Sequence, residues 1–263
     1  MVGRDHLERY LERAGVVECD PRSFGPVTVG PAVARSVWLL ACIETDSTSQ
    51  VAKVEQAGFA RAADVAAFLP HWHAEEQEHG RVLFAIARHS GFDPPVRARL
   101  RAAADQHGQP PDNLRALLGR VPGADAAYLA TAAAAEYTVR CTYSWLGRAY
   151  AGSPVIARLF KDLAAQEARH LAFYRAAARV RLARSATARY LAPRLFSRFW
   201  RPVGIDTLGW ATWFDAFGDL VTDPDMQRQF LGLDRVVAAL PGFDGLSPLR
   251  SFLDRHDIAV APA

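Results

Sequence analysis

Two Glu-x-x-His motifs, Glu76-Gln77-Glu78-His79 and Glu167-Ala168-Arg169-His170, carry side chains able to hold metal ions. Residues three apart on a helix share a face, so each motif directs one carboxylate and one imidazole to a common point. A single motif of this kind would mean little. Each, however, is preceded at nearly the same interval by another glutamate: Glu44 stands 32 residues before Glu76, and Glu136 stands 31 before Glu167. Two antiparallel helices joined by a short turn return to the same height after equal runs, and ~16 residues each way at about 1.5 Å per residue is roughly 24 Å out and back. Two such hairpins would bring Glu44, Glu76, His79, Glu136, Glu167 and His170 together.

The two outlying glutamates are not on charged faces. Glu44 closes the run Val37-Trp38-Leu39-Leu40-Ala41-Cys42-Ile43, and Glu136 follows Ala132-Ala133-Ala134-Ala135. Isolated ionised carboxylates in such segments cost on the order of several kcal/mol unless a cation compensates them. Four carboxylates and two neutral imidazoles suit a pair of iron ions, ferrous or ferric, with coordination positions left open for oxygen. Ordinary buried ion pairing is the competing reading. Two extra glutamates plus two Glu-x-x-His motifs are instead the pattern of di-iron and di-manganese helical bundles.

The elements that must position these side chains are helices. Glycine and proline divide the chain into long segments, none with the sustained two-residue alternation of a strand. Gly30-Pro31 opens a helix through Glu44; a second covers Ala62 to His89, with Pro70 as a candidate kink, and ends at Ser90-Gly91. A connector with Pro94, Pro95, Pro110 and Pro111 leads past a short helix near Leu114 to Leu118. A third long helix spans about Ala124 to Tyr150. The fourth starts with Ser153 as N-cap and Pro154 at its first position, and passes His170. Shorter helices follow at Ala188 to Phe199, Thr207 to Leu220, Pro224 to Leu233 and Pro248 to Leu253, the last with Ser247 as N-cap. The expected fold is all-α: one ferritin-like four-helix bundle domain over residues 1–263, with its core at about 31–184 and a C-terminal helical cap at about 185–263.

Composition bounds the rest. Half of the 263 residues are hydrophobic, with no apolar run long enough to span a bilayer, and Met1 to Glu12 has no signal-like apolar core. A cytoplasmic location is expected. Cys19, Cys42 and Cys141 are too few and too scattered for a disulfide framework or a cysteine metal site. The net charge of +3 is unevenly spread: Leu171 to Ile205 holds eight arginines and no acid. Arg179, Arg181 and Arg184 are candidates there for docking an acidic partner, against the plainer reading of a solvated basic face. No nucleic-acid-binding module is visible. The aromatic set Phe196, Phe199, Trp200, Trp210, Trp213, Phe214 and Phe217 reads as core in preference to an acyl tunnel.

The segment Trp72-His73-Ala74-Glu75-Glu76-Gln77-Glu78-His79-Gly80 resembles the W-x-A-E-E-x-x-H-G element of the soluble acyl-carrier-protein desaturases. Leu163-Ala164-Ala165-Gln166-Glu167-Ala168-Arg169-His170, with Tyr174 four residues on, resembles that family's A-A-D-E-x-R-H-x-x-x-Y. The likeness runs from Pro31 to Arg181 and fades in the tail. It implies that the six residues are iron ligands, with Glu76 and Glu167 as bridges and with Trp72 and Glu75 as neighbours of the site. Tyr174 is expected to pack or hydrogen-bond near iron, not to carry a radical, and His73 to lie off the metals. Two positions depart from the family. Gln166 replaces an aspartate that orients the opposite histidine, and Val139 stands where a threonine faces the oxygen side, the nearest being Thr138. Val139, Thr138 and Ala132 are the candidate substrate-pocket residues.

The function implied is an oxygen-dependent di-iron oxidoreductase that removes hydrogen from an unactivated carbon of an acyl chain, desaturating or hydroxylating it. Its implied cofactors are two iron ions, with manganese as an alternative in one position, and O2 as co-substrate. Its implied partners are an acyl carrier protein or small acyl substrate and a ferredoxin-like electron donor, with a homodimer left open as an assembly and no membrane or nucleic acid. Two alternatives stand beside it: ferritin-like iron storage, and a specialised-metabolism oxygenase acting on an amine or amino acid.

Overall fold

A computed structural model describes residues 2–93, 116–117 and 119–260. Twelve helices are used below: α1 (Val2–Leu11), α2 (Pro31–Thr45), α3 (Ser47–Gln56), α4 (Ala63–His89), α5 (Ala124–Ala149), α6 (Pro154–Arg184), α7 (Ala186–Phe199), α8 (Ile205–Leu208), α9 (Trp210–Thr222), α10 (Pro224–Phe230), α11 (Gly232–Ala238) and α12 (Pro248–Arg255). Among the described residues there is no strand, and no helix is long and apolar enough to cross a membrane. The connector prolines and most of the short helix expected near Leu114 to Leu118 lie outside the described residues.

The fold is all-α, a four-helix bundle with additional helices. It consists of two hairpins, α2 with α4 and α5 with α6, each packed more closely within itself than against the other. Both are antiparallel. Trp38 meets Phe84 while Ala41 faces Gly80, and Tyr128 meets Tyr174 while Tyr143 meets Phe160. A β-carbon on Gly80 would overlap the Thr45 methyl and press on the Ala41 carbonyl, so its absence sets the separation of α2 and α4. Their inner faces form one continuous core with α5 and α6, in which Phe68, Leu83, Ile86, Phe160, Leu163 and Phe173 are almost fully buried. Each such side chain contributes about 1.5–3 kcal/mol of hydrophobic stabilisation.

α4 continues through Pro70, which lies on the exposed face. There water can replace the hydrogen bond that proline cannot donate to the carbonyl four residues earlier. Ser153 does occupy the N-cap of α6, but its hydroxyl donates to Phe24 O at 2.7 Å and leaves the helix end uncapped by a side chain. At α12 the cap comes from elsewhere: Asp234 accepts from Leu249 N and Arg250 N, and Ser247 does not.

The cap has more breaks than its periodicity suggests. The single helix expected from Thr207 to Leu220 is divided at Gly209, whose φ of +74° interrupts helical geometry, and the one from Pro224 is divided at Leu231. α7 packs along α5, α9 on α2 and α11 on α5, with α12 on α11. Ser36 ties α2 to the cap by donating to Ala216 O at 2.9 Å. Trp200, Trp213 and Phe217 are core, whereas Phe199 is 57% exposed. α1, unmarked in the sequence, packs on α6 and α4.

Candidate metal centre

Glu44 on α2, Glu76 and His79 on α4, Glu136 on α5, and Glu167 and His170 on α6 meet in the middle of the bundle, all buried. They form two overlapping groups, Glu44–Glu76–His79–Glu167 and Glu76–Glu136–Glu167–His170, with the ligating atoms of each within 4.8 Å of one another. Glu76 and Glu167 belong to both. His79 Nδ1 lies 3.0 Å from Glu167 Oε1 and 3.7 Å from Glu76 Oε2. His170 Nδ1 lies 3.2 Å from Glu76 Oε1, 3.3 Å from Glu167 Oε2 and 3.7 Å from Glu136 Oε2.

The orientation of both rings follows from what holds their far sides. His79 Nε2 lies 2.8 Å from Gln166 Oε1, and the Gln166 amide nitrogen donates to Gly15 O. A backbone carbonyl only accepts, so it fixes which end of the Gln166 amide faces the ring. In its neutral form His79 then carries its proton on Nε2, and Nδ1 faces the carboxylates. His170 is set in the same way by Glu75, whose Oε2 lies 2.7 Å from its Nε2. Glu75 in turn accepts from Tyr10 OH at 2.8 Å and Gly15 N at 2.9 Å, with Arg169 at 3.5 Å. The residue preceding each shared glutamate thus orients the histidine of the opposite motif.

Trp72 Nε1 donates to Glu136 Oε1 at 3.1 Å, and Tyr143 OH donates to Glu44 Oε1 at 2.5 Å. Tyr174 is buried against Phe68 and Trp72. His73 faces Ser47 at 3.1 Å, away from the cluster.

Burial pushes the Glu44 carboxyl well above the usual range, with repulsion from Glu76 adding to it. Glu136 is raised by burial and by Glu167, and Glu76 is raised to about 7 by burial and then by Glu167. Glu167 moves the other way: burial opposes its charge, but the Glu136, His170 and His79 side chains around it outweigh that and hold it low. Burial also disfavours charge on both imidazoles, and the surrounding carboxylates outweigh it and raise them.

Among the described residues, Glu76 Oε1, His79 Nδ1 and Glu167 Oε1 are buried without a hydrogen bond, although all three face the cluster. Buried polar atoms without a partner are costly, and a shared cation would satisfy them together. Four carboxylates would balance the charge of two divalent ions. The donor set therefore fits a pair of metal ions, and Glu75, Gln166, Tyr143 and Trp72 supply the outer support such sites need.

A cavity of about 200 Å³ reaches the carboxylate side, touching Glu44, Glu76 and Glu136. Ala132 and Val139 line it, with Thr131, Tyr128 and Tyr174. Thr138 does not. Its hydroxyl donates to Ala134 O, and it lines a separate apolar void of about 50 Å³ under the cap. At the cavity mouth stand Arg201 and Asp206, 4.0 Å apart. Among the docking candidates, Arg181 is not available: its guanidinium is held by Asp64 and Asp125 at 2.9 Å and only 15% exposed. Arg179 and Arg184 are exposed, the former donating to Ala239 O.

Tyr143, Tyr10 and Gly15 have roles that sequence reading missed. Tyr143 had a usable signal, since it lies seven residues, two helical turns, after Glu136. Tyr10 and Gly15 had none. Comparison with models of protein families, with curated proteins and with solved structures gives no match.

Proposed function

We propose that the chain is an oxygen-dependent di-iron oxidoreductase resembling the soluble acyl-carrier-protein desaturases. The observation that carries this reading is the pair of overlapping ligand groups sharing Glu76 and Glu167. Glu44, Glu76, His79 and Glu167 would hold one ion, and Glu76, Glu136, Glu167 and His170 the other, with manganese as an alternative in one position. When bound, the metal pair supplies reductive activation of O2. The substrate's reacting carbon would lie in the cavity beside Glu44, Glu76 and Glu136, where Val139, Ala132 and Tyr174 limit access by water.

Desaturation removes two hydrogen atoms from neighbouring carbons; with two electrons from a ferredoxin-like donor and two protons from solvent, O2 leaves as two waters. Hydroxylation inserts one oxygen atom and leaves the other as water. An apolar acyl group, free or carrier-borne, matches the aliphatic and aromatic lining. The cavity's volume and its mouth favour a second reading, oxidation of a compact amine or amino acid. About 200 Å³ is below the ~300–1,000 Å³ typical of sites for drug-sized ligands, and Arg201 with Asp206 presents both charges.

Metal analysis tests the centre directly. We expect about two irons per chain, falling below one in Glu76→Ala and in Glu167→Ala because each removes a shared ligand. Since metal must displace protons, apparent affinity should rise with pH through the Glu76 value of about 7. Two irons retained in either variant would refute the ligand assignment. Mass spectrometry of products from reduced protein, O2 and acyl or amino-acid substrates separates the two enzyme readings. A multi-subunit cage that mineralises iron without an organic substrate would point to storage.

A further inference from the structure

On the outer side of the α5–α6 hairpin, α10 and α11 border an open cleft of about 770 Å³, distinct from the metal-side cavity. Arg140 and Arg148 enter it from α5, Arg228 from α10 and Arg235 from α11. The one acid on its wall, Asp225, is paired with Arg228. Among the described residues, no ion pair engages Arg140, Arg148 or Arg235. Four guanidiniums against one carboxylate equal the excess of the whole chain, +3.

The cleft is also a built feature of the fold. Its floor is Ala164, Ala165 and Ala168 on α6, whose methyl side chains leave depth between the helices. Its end wall is anchored by Tyr137, which donates to Gln229 O at 2.9 Å and occupies the space a β-carbon on Gly232 would take. The Arg140 guanidinium lies over the Tyr137 ring, 5.1 Å from its centre, and Arg148 donates to Ser144 O at 3.2 Å. Two of the four cations are therefore partly positioned before any ligand arrives.

We propose that this cleft binds a phosphorylated small molecule carrying at least two negative charges. Guanidinium forks match phosphate oxygens in pairs, and arginines on three helices suit a ligand with more than one anionic group. The groove's volume lies within the ~300–1,000 Å³ of small-molecule sites and accommodates such a ligand. The hydroxyl of Ser144 and the amide of Gln229, both on the wall, add neutral partners for hydroxyl groups. The proposal does not depend on the identity of the metal centre.

Calorimetric titration of the full chain with inorganic pyrophosphate, ATP and adenosine at about 0.1 M salt tests it. Pyrophosphate and ATP should each bind saturably at one site, and adenosine should not. Arg140→Ala and Arg235→Ala should each weaken ATP binding on the order of tenfold, by loss of charge-assisted hydrogen bonds. Ser144→Glu, at an exposed position, should abolish it while leaving metal content and thermal melting unchanged. Absence of saturable binding, or equal affinity in all three variants, overturns the proposal. So does binding of polyglutamate without binding of pyrophosphate or ATP, which would assign the surface to an acidic protein.

Discussion

Glu75 and Gln166 occupy equivalent places, each just before a shared glutamate and each against the histidine of the other motif, but only one is charged. Glu75 is held down to about 2: burial opposes its charge, and His170, Gly15 and Tyr10 together overcome that opposition. Gln166 orients His79 without adding charge. Gln166→Leu should therefore lower metal affinity about 10- to 100-fold, measured by chelator competition, through loss of the ring's outer partner; unchanged affinity would remove Gln166 from that role. At Arg181 the outcome concerns stability. Burial pushes the Asp64 carboxyl up, but the Arg181 guanidinium beside it wins and holds it below its ordinary value. A depressed folded-state pKa contributes stability above the unfolded value of about 3.9 and loses it as pH falls through the folded one. Arg181→Met should thus cost about 1–3 kcal/mol in urea unfolding at pH 7 and much less near pH 3. An equal cost at both pH values would place the loss in packing instead of charge.

The helices that carry the ligands were largely legible at the level of elements, because the 3.6-residue pattern, Gly30-Pro31, Ser90-Gly91 and Gly152-Ser153-Pro154 punctuate them. Equal intervals between paired glutamates work only if both hairpins are antiparallel and close, and Gly80 supplies that closeness in the first. Gly80→Ala would force α2 and α4 apart at Thr45 and Ala41. The expected cost is about 1–3 kcal/mol, the scale of overpacking, with weaker metal binding by the cluster because Glu44 is displaced from Glu76. A melting temperature and metal content equal to those of the parent would show that α2 yields freely. The cap was read less well. A helix divided at Gly209 keeps nearly the same hydrophobic pattern as an unbroken one, so periodicity alone passes over the break.

Across the whole molecule, the metal-side cavity and the apolar void under the cap are divided by Ile43, Val139, Pro202 and Val203, which line both. Reducing that partition in Ile43→Ala/Val139→Ala should join about 200 and 50 Å³ into one longer space. The variant should then prefer longer straight-chain carboxylates than the parent in binding assays, at a stability cost of about 2–5 kcal/mol for the isoleucine alone. An unchanged chain-length preference would mean that the two spaces never communicate. The sequence by itself determined the helical class and the convergence of six carboxylate and imidazole side chains, because both depend on local periodicity and on intervals within and between paired helices. Tertiary structure alone decided that Gly15 and Tyr10 complete the site, that Arg181 is buried in an ion pair, that Thr138 turns from the cavity and that four arginines share a cleft. Those outcomes depend on which distant surfaces meet, and contacts between residues many turns apart leave no spacing in the chain from which to read them.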